Sequence, residues 1–483
     1  MDEISTGIKK VLFVFLLLFV IVISYVAYFE LYKAPKIINN SDNARLWATR
    51  NKVLRGTIYD KNKVQLAVST RANDAVTQNR QYPGGADFAH VIGYANTQYG
   101  LTGLESQYDK YLTASSNIGI TEYIKQLISS KGTVKQQDKK GNDLITTIDS
   151  KVQKTAFDLL GNNKGAVVAI NPKTGEIIAM VSKPSYDPNS EALKANWSTM
   201  NTDVNRPLLN RAVSGLYPPG STFKTVTAVS AQENISGIMN KTFVDNGTLR
   251  FNATESLNDF AGESFGSINF KQAYVHSSNV VFGTIGLELG NTNLKNTAES
   301  FYFNKNLPSD GIVIDKSRFP TFKSYEKGNI AQSAIGQSQV LATPMQMAMV
   351  ASTIANNGIM MEPHVVNSVV DSNGNTTKTF NNISLGTIIT PEIASTMKEF
   401  MRGVVTDGTG SAANISGLNV AGKTGTADHK EGTKDATPHS WFIGFAPEND
   451  PTIAVAVIVE DGGQGGIAAA KIAGGVIQAS LTK

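Results

Sequence analysis

Residues 11–29, VLFVFLLLFVIVISYVAYF, form a run near the N-terminus without a charged side chain. A helix needs about 20 mainly apolar residues to cross the hydrocarbon core of a bilayer. A cleaved signal peptide is the alternative, but this run is longer than the usual apolar region of a signal. Moreover, Ala27 has Tyr25, not a small residue, two places before it. The sequence therefore predicts a retained transmembrane anchor within residues 1–30.

A simple count of the basic residues on the two sides of this run does not support a cytoplasmic N-terminus. Lys9 and Lys10 precede it, whereas Lys33, Lys36, Arg45 and Arg50 follow it. Long domains are translocated largely regardless of such charges. We therefore expect a cell-membrane protein with a cytoplasmic N-terminus and an extracytoplasmic bulk.

Composition limits what the remainder of the chain can be. With 483 residues, of which 41% are hydrophobic, the chain is long enough for two or three domains. Its net charge of +4 is spread along the chain, which argues against a nucleic-acid partner. It has no cysteine, so disulfides and thiolate metal sites are excluded. The five histidines show no metal-ligand spacing, and we predict no metal and no cofactor.

The pattern of apolar residues changes near residue 140. Residues 38–50 are polar and rich in asparagine, and residues 31–140 predict a small, irregular α+β region in which we find no chemistry. Beyond Lys139-Lys140-Gly141-Asn142 the predicted strands and helices are longer, including a hairpin over 165–181 and strands over 418–426, 440–446 and 453–460. We expect an α+β fold in which residues 141–483 form an antiparallel sheet covered by helices.

The segment Gly220-Ser221-Thr222-Phe223-Lys224 is the first candidate for chemistry. Pro218 and Pro219 favour an extended approach, and the breaker-free residues after Lys224 predict a helix that begins at Ser221. Residues three apart share a helix face, so Lys224 is expected beside the Ser221 hydroxyl. A buried lysine can be neutral and act as the base for a serine nucleophile. The same Ser-x-x-Lys spacing occurs at Ser324/Lys327, Ser395/Lys398 and Ser480/Lys483.

A second candidate is Lys423-Thr424-Gly425-Thr426, on a predicted strand. Its glycines allow a substrate backbone to approach closely, and its cation and hydroxyls suit a carboxylate. The backbone N–H groups of Thr426 and Ser221 would form an oxyanion hole. Lys173-Thr174-Gly175 repeats the tripeptide but lies in a predicted hairpin turn.

The third candidate is Ser277-Ser278-Asn279, at a predicted junction between two helices, where side chains can point into a cleft. Other Ser-x-Asn triplets begin at Ser41, Ser115, Ser256 and Ser267. The first two precede Ser221, and the last two lie in polar strand-and-loop sequence. The triplet is therefore informative only together with the other two motifs.

Ser-x-x-Lys, Ser-x-Asn and Lys-Thr-Gly in this order are typical of penicillin-binding proteins and serine β-lactamases. The chain resembles the class B penicillin-binding proteins, which are monofunctional, membrane-anchored peptidoglycan transpeptidases. Ser338 departs from that family, whose members often have glycine after Gly336-Gln337. The other matching segments are Arg55-Gly56-x-Ile58-x-Asp60, residues 165–177, Asn205-Arg206, residues 217–224, Thr343-Pro344 and Lys423-Thr424-Gly425-Thr426.

The resemblance implies a role for each motif. It implies that the penultimate D-Ala of a stem peptide acylates Ser221, with Lys224 as the base. It further implies that Ser277 relays a proton, that Asn279 binds the substrate amide, and that Lys423, Thr424, Gly425 and Thr426 hold the carboxylate. The chain would then comprise an anchor (1–30), a pedestal (31–140) and a transpeptidase domain (141–483).

The resemblance also implies partners. These are peptidoglycan stem peptides and β-lactam antibiotics, the membrane through one helix, and a multi-span glycosyltransferase that touches the anchor and pedestal. A D,D-carboxypeptidase, a β-lactamase of the same fold and a non-catalytic β-lactam sensor are the alternatives. We find no Glu-x-x-Leu-Asn motif after Ser277, which a common β-lactamase would need, and a sensor would need further spans or an effector domain.

Overall fold

The computed structural model describes residues 2–33, 47, 50–72, 77–114, 139–431 and 434–482. The polar connector predicted over residues 38–50 lies almost entirely outside these residues. The helices are α1 (Asp2–Tyr28), α2 (Ala89–Ile92), α3 (Gly103–Gln107), α4 (Asp109–Leu112), α5 (Ser150–Leu160), α6 (Ser190–Thr202), α7 (Arg211–Ser214), α8 (Lys224–Asn234), α9 (Phe270–Val275), α10 (Asn279–Ser300), α11 (Lys327–Ala334), α12 (Pro344–Ala355), α13 (Pro391–Thr406) and α14 (Ala468–Leu481).

Shorter helical turns and the strands complete the list of elements. A π turn spans Phe29–Lys33, and 3₁₀ turns span Gly85–Asp87, Gly220–Phe223, Ile238–Asn240, Phe260–Gly262 and Ser411–Ala413. The strands are β1 (Ile58–Tyr59), β2 (Gln65–Arg71), β3 (Gln78–Gln81), β4 (Ala95–Asn96), β5 (Gly100–Leu101), β6 (Asp143–Thr146), β7 (Gly165–Ile170), β8 (Ile177–Lys183), β9 (Thr242–Asp245), β10 (Thr248–Arg250), β11 (Ser256–Asn258), β12 (Gly266–Asn269), β13 (Ile359–Met361), β14 (Val366–Val370), β15 (Thr376–Thr379), β16 (Ser384–Thr387), β17 (Ala421–Ala427), β18 (Lys430–Glu431), β19 (Lys434–Asp435), β20 (His439–Ala446) and β21 (Ile453–Val459).

Helix α1 stands apart from the folded part of the chain. Its segment Gly7–Tyr28 is apolar, unburied and long enough to cross a membrane. Exposed apolar surface of this extent is unfavourable in water. The helix is therefore suited to serve as a membrane anchor.

A six-stranded sheet joins the N-terminal region to the rest of the molecule. Its order is β15-β14-β6-β1-β2-β3, and β1 pairs in parallel with β6. The sheet therefore combines strands from before and after residue 140. Alternating residues over 53–60 predict a strand, but regular pairing begins only at Ile58, so the strand is shorter than this pattern indicates.

A five-stranded antiparallel sheet forms the centre of the larger part, in the order β17-β20-β21-β7-β8. Alternate residues of β21 enter two different apolar cores: Ala454, Ala456 and Ile458 face one, and Val455 and Val457 face the other. Helix α12 packs against β20 and β21 on one side, and α14 with α5 covers the opposite side. The expected antiparallel sheet covered by helices is confirmed.

Helix α8 runs through the buried middle of the molecule and contacts α10 and α13. Its residues from Lys224 to Ala231 are all buried. It begins directly after the 3₁₀ turn Gly220–Phe223, which contacts the edge strand β17. The fold thus brings the start of α8, the α9–α10 junction and the sheet edge together.

Candidate active site

A cleft of about 760 Å³ opens where these three elements meet. Three of the predicted site residues that line it are Ser221, Ser277 and Asn279. Thr424 and Thr426 of β17 also line it, whereas Lys224 and Lys423 are fully buried beneath its surface. The structure therefore brings the three sequence motifs into one site.

The turn that carries Ser221 is pressed against β17. Gly220 has φ of 53°, and a Cβ atom there would lie 2.6 Å from the carbonyl oxygen of Thr426. A Cβ atom on Gly425 would lie 2.9 Å from the carbonyl oxygen of Pro219. Such approaches exclude any larger residue. The glycines therefore place the partly exposed Ser221 hydroxyl beside the strand edge.

The contacts of Lys224 differ in one respect from the prediction. Its Nζ donates to the Ser277 carbonyl oxygen at 2.5 Å and to Asn279 Oδ1 at 2.8 Å, and it lies 3.2 Å from Ser277 Oγ. Within the described residues the Ser221 hydroxyl makes no hydrogen bond, to Lys224 or to any other group. Lys224 Nζ is directed instead to Ser277 and Asn279.

Burial lowers the pKa of Lys224 to about 7, although Asp259 and Asp245 favour its charged form. Its ordinary value is 10.5. Removing an ammonium group from water disfavours the cation more than the free amine. Lys224 is therefore suited to exchange a proton near neutral pH.

Lys423 approaches Ser277 from the sheet. Its Nζ donates to Ser277 Oγ at 2.8 Å and lies 3.2 Å from the carbonyl oxygen of Thr424. Burial and the nearby Lys224 lower the pKa of Lys423 well below its ordinary value. The Ser277 hydroxyl thus lies between the two lysines, and Lys224 disfavours the charged form of Lys423.

Ser277 occupies a strained position between α9 and α10. Its φ is 62°, a left-handed conformation that residues other than glycine seldom adopt. This places its hydroxyl and carbonyl oxygen toward the two lysines. Asn279, the first residue of α10, accepts from Lys224 and donates from Nδ2 to the Asn258 carbonyl oxygen at 2.9 Å.

The two threonines of β17 have partners that sequence reasoning missed. The hydroxyl groups of Thr424 and Thr409 are hydrogen-bonded at 2.5 Å, and Thr426 Oγ1 accepts the N–H of Gly465 at 3.2 Å. A Cβ atom on Gly465 would lie 2.0 Å from the Gly425 carbonyl oxygen. The glycine-rich run 462–466 was the available signal for this close approach.

Comparison with known proteins identifies the architecture. The penicillin-binding protein transpeptidase domain matches residues 165–478, and the penicillin-binding protein A dimerisation domain matches residues 55–138. The chain belongs to the penicillin-binding protein transpeptidase family. Peptidoglycan D,D-transpeptidase PbpA of Mycolicibacterium smegmatis is 33% identical over 99% of both chains.

Solved penicillin-binding proteins share this architecture. Penicillin-binding protein A of M. tuberculosis, in a penicillin G acyl-enzyme complex, matches with a TM-score of 0.80 and 31% identity, over 89% of this chain and 100% of that one. A D,D-transpeptidase domain of a peptidoglycan glycosyltransferase from Eggerthella lenta matches with a TM-score of 0.78 and 34% identity, over 89% and 98%. The predicted relationship to class B penicillin-binding proteins is confirmed.

Ser338 is the residue that departs from the pattern of this penicillin-binding protein family. Ser338 lines the cleft beside Gln337 and has φ of 60°, a conformation that glycine adopts at little cost. Gly336 lies against the Gly220–Phe223 turn, since its carbonyl oxygen accepts the N–H of Gly220 at 3.0 Å. The loop therefore supports the turn that carries Ser221.

The described residues of the other Ser-x-x-Lys motifs and of the second Lys-Thr-Gly motif do not line the cleft. Ser324 and Lys327 are exposed, and Lys398 donates to Asn357 at the surface. Lys173 lies, as predicted, in the turn between β7 and β8, and it pairs with Asp450. Lys483 lies outside the described residues.

His429, His439 and Asp461 are separated in the sequence but lie close together beside β20. His429 Nε2 is 3.1 Å from Asp461 Oδ1, and candidate metal-ligand atoms of His429, His439 and Asp461 lie within 4.8 Å of one another. However, the two imidazole rings are stacked with centroids 3.9 Å apart, and His439 Nδ1 accepts the backbone N–H of Asp461. These contacts hold the three side chains in one compact cluster.

Proposed function

We propose that this chain is a serine-type D-Ala-D-Ala transpeptidase that cross-links peptidoglycan stem peptides through an acyl-enzyme on Ser221. The observation that carries the proposal is the convergence of Ser221, Lys224, Ser277 and Lys423 on one cleft beside the edge strand β17. Relatives named peptidoglycan D,D-transpeptidase and neighbours solved as β-lactam acyl-enzymes support it.

In the proposed first step, Ser221 Oγ attacks the carbonyl carbon of the penultimate D-Ala. Neutral Lys224 accepts the hydroxyl proton, and the N–H groups of Ser221 and Thr426 stabilise the oxyanion. The peptide bond to the terminal D-Ala then breaks, and its amine takes a proton relayed through Ser277. A Ser221–Lys224 hydrogen bond is expected to form only with substrate bound, since such contacts often tighten in the complex.

In the second step an acceptor amine replaces the serine. The amine of another stem peptide attacks the ester carbonyl, a new amide forms, and Ser221 regains its proton. Asn279 would bind the substrate amide, and Lys423, Thr424, Gly425 and Thr426 would hold the terminal carboxylate. A carboxylate beside Lys423 would restore the charge of this lysine, because an opposite charge favours the cation.

A β-lactam would acylate the same serine by opening its ring amide. Mass spectrometry of the intact protein after brief exposure to a penicillin is expected to show one adduct, and peptide mapping to place it on Ser221. Ser221→Ala should remain folded and show no adduct. An adduct on Ser324, Ser395 or Ser480 would overturn the assignment.

A donor peptide ending in D-Ala-D-Ala, supplied with and without an acceptor amine, separates the proposed activity from its rivals. Transfer to the amine is the expected result. Release by water alone would indicate a carboxypeptidase, and rapid turnover of penicillin a β-lactamase.

The proposal includes the arrangement of the chain at the membrane. We place residues 1–30 as cytoplasmic tail and anchor, residues 31–140 as a pedestal, and residues 141–483 as an extracytoplasmic transpeptidase domain. Since the chain has no cysteine, single Ser5→Cys and Ser372→Cys variants can be compared with an impermeant thiol reagent in intact cells. Labelling is expected at position 372 only, and labelling at position 5 only would reverse the orientation.

The proposed partner is a multi-span glycosyltransferase that supplies the glycan strands. Crosslinking groups placed along Gly7–Tyr28 and on the surface of the pedestal are expected to capture it. Capture from the transpeptidase surface alone would contradict this arrangement.

A further inference from the structure

Two buried carboxyl groups lie behind the Ser277–Asn279 turn and have no role in the function proposed above. Asp245 ends β9 and is fully buried, and Asp259 follows β11 and is 5% exposed. Buried carboxylates are rare unless they are paired with cations or well hydrogen-bonded. Within the described residues neither forms an ion pair with a lysine, arginine or histidine within 4 Å, so their contacts need another explanation.

Asp245 receives hydrogen bonds on both of its oxygens. Oδ1 accepts the backbone N–H of Gly247 at 2.9 Å, and Oδ2 accepts the hydroxyl of Ser278 at 2.6 Å. The Ser278 oxygen itself accepts the N–H of Val281 at 3.0 Å, which leaves its proton for Asp245. Asp245 is thus arranged purely as an acceptor, as an ionised carboxylate is.

Asp259 uses its two oxygens differently. Oδ1 accepts the backbone N–H groups of Asn279 and Val280, the latter at 3.2 Å. Oδ2 is buried and has no hydrogen-bond partner within the described residues. Asp245, which binds the preceding residue Ser278, is close enough to contribute to the raised pKa of Asp259. Two carboxyl groups can bond only if one of them carries a proton.

Because every contact of Asp245 is that of an acceptor, the proton belongs on Asp259 Oδ2. We propose that protonated Asp259 donates to ionised Asp245, and that this carboxyl pair is the positioning device that holds the Ser277–Asn279 turn against the two lysines. One carboxyl group binds Ser278, and the other binds the first backbone N–H groups of α10. Together they fix both sides of the left-handed Ser277.

The pair also sets the electrostatic surroundings of the turn. Burial raises the pKa of Asp259, which favours the protonated form that the contacts require. The charged groups packed around the turn are then ionised Asp245 on β9, Lys224 on α8 and Lys423 on β17. A single negative charge therefore faces two lysines whose cationic forms burial disfavours.

Asparagine variants test which carboxyl group holds the proton. In Asp259→Asn the amide oxygen can accept the two backbone N–H groups and the amide nitrogen can donate to Asp245. In Asp245→Asn an N–H group must face either Gly247 or Ser278, so one donor is left unpaired. Second-order acylation by a penicillin is expected to stay within about threefold of wild type for Asp259→Asn and to fall at least about tenfold for Asp245→Asn.

Asp259→Ala, which loses the same contacts without replacing them, is expected to fall like Asp245→Asn. The exposed Asp450→Asn serves as the matched control. Equal losses in the two buried asparagine variants, or a reversed order, would overturn the proposal. Thermal unfolding of each variant separates misplacement of the turn from loss of the fold.

A spectroscopic readout does not depend on the proposed transpeptidase activity, on which the acylation assay rests. Infrared difference spectra of wild type minus Asp259→Asn at about pH 5, below the pKa of about 6 to which burial raises Asp259, should contain the carbonyl band of a protonated carboxyl group. Absence of that band would overturn the proton assignment. Failure of wild type to be acylated would instead contradict the proposed function and leave the infrared result intact.

Discussion

Two regions of this molecule bury charged side chains in opposite ways. In the N-terminal region, Glu105 is fully buried and accepts from Arg55 Nε at 2.5 Å and from Arg80 Nε at 2.7 Å. Arg55 also pairs with Asp109. We call these four residues the arginine–carboxylate cluster. Although burial acts to raise the pKa of Glu105, Arg80 and Arg55 hold it below its ordinary value.

The cleft buries two lysines that, within the described residues, form no direct ion pair. Within the described residues, neither Lys224 nor Lys423 has a carboxylate oxygen within 4 Å, and their hydrogen bonds go to hydroxyl, amide and carbonyl oxygens. Burial therefore lowers the pKa of both. The charges of one region are thus paired, whereas the lysines of the other have lowered pKa values, as suits the proton exchange and anion binding proposed for them.

Lys224→Arg should produce the largest effect, because it keeps a positive charge but removes the base. Arginine stays protonated in proteins, so it cannot accept the Ser221 proton. Acylation by a penicillin is expected to fall by about 10²–10⁴-fold, as measured by stopped-flow or quenched mass spectrometry. An arginine variant that acylates at the wild-type rate would show that another group takes the proton.

Glu105→Gln tests the paired charges of the arginine–carboxylate cluster. It leaves two buried arginines without their shared carboxylate, and breaking a buried pair costs about 3–5 kcal/mol. The free energy of unfolding in urea is expected to fall by this amount. Glu288→Gln, in a half-exposed pair with Lys241, is the matched control and should change stability by about 1 kcal/mol or less. Equal effects would mean that burial of the cluster is unimportant.

Thr426→Val should sharpen the idea that the substrate supplies the missing negative charge. The substitution keeps the backbone N–H for the oxyanion but removes the hydroxyl proposed to bind the carboxylate. Loss of one hydrogen bond to a charged group costs about 1.5–3 kcal/mol, or roughly ten- to a hundred-fold in acylation efficiency. A penicillin should be slowed far more than its carboxyl ester. Equal slowing of the two would mean that Thr426 acts by shape.

Sequence patterns predicted the sheet well where the signal was local. The hairpin of β7 and β8 follows directly from two apolar runs and the turn residues Asn171-Pro172-Lys173-Thr174-Gly175, and β7 begins and ends where predicted. Strand β17 was predicted three residues too early, because Leu418 and Val420 extend its alternation although pairing begins at Ala421. The ends of a strand depend on its partner strand, which can be distant in the sequence.

The site was predictable to the extent that it consists of motifs. Ser221, Ser277 and Thr426 meet in the cleft as expected. Asp245 and Asp259 were missed because each contacts residues far along the chain, and nothing in their local sequence separates them from surface carboxylates. Ser221 and Lys224 lack the expected hydrogen bond because Lys224 binds Ser277 and Asn279 instead, two partners that the spacing of the Ser-x-x-Lys motif does not reveal.

The last prediction uses pH to compare the two kinds of buried charge. Lys224 has a folded pKa of about 7, against an ordinary value of 10.5, so between these values the unfolded chain binds more protons than the folded one. Stability therefore rises with pH in this window, by at most about 1.4 kcal/mol per pH unit. Lys224→Met lacks this dependence.

The difference in unfolding free energy between Lys224→Met and wild type should consequently be greatest at or below pH 7 and shrink toward pH 9, when both are unfolded in urea at each pH. The methionine variant also leaves Asn279 Oδ1 without its donor, but that loss is the same at every pH. A difference that stays constant across the window would mean that Lys224 remains protonated in the folded protein. It could not then act as the base, and the contrast with the arginine–carboxylate cluster would be lost.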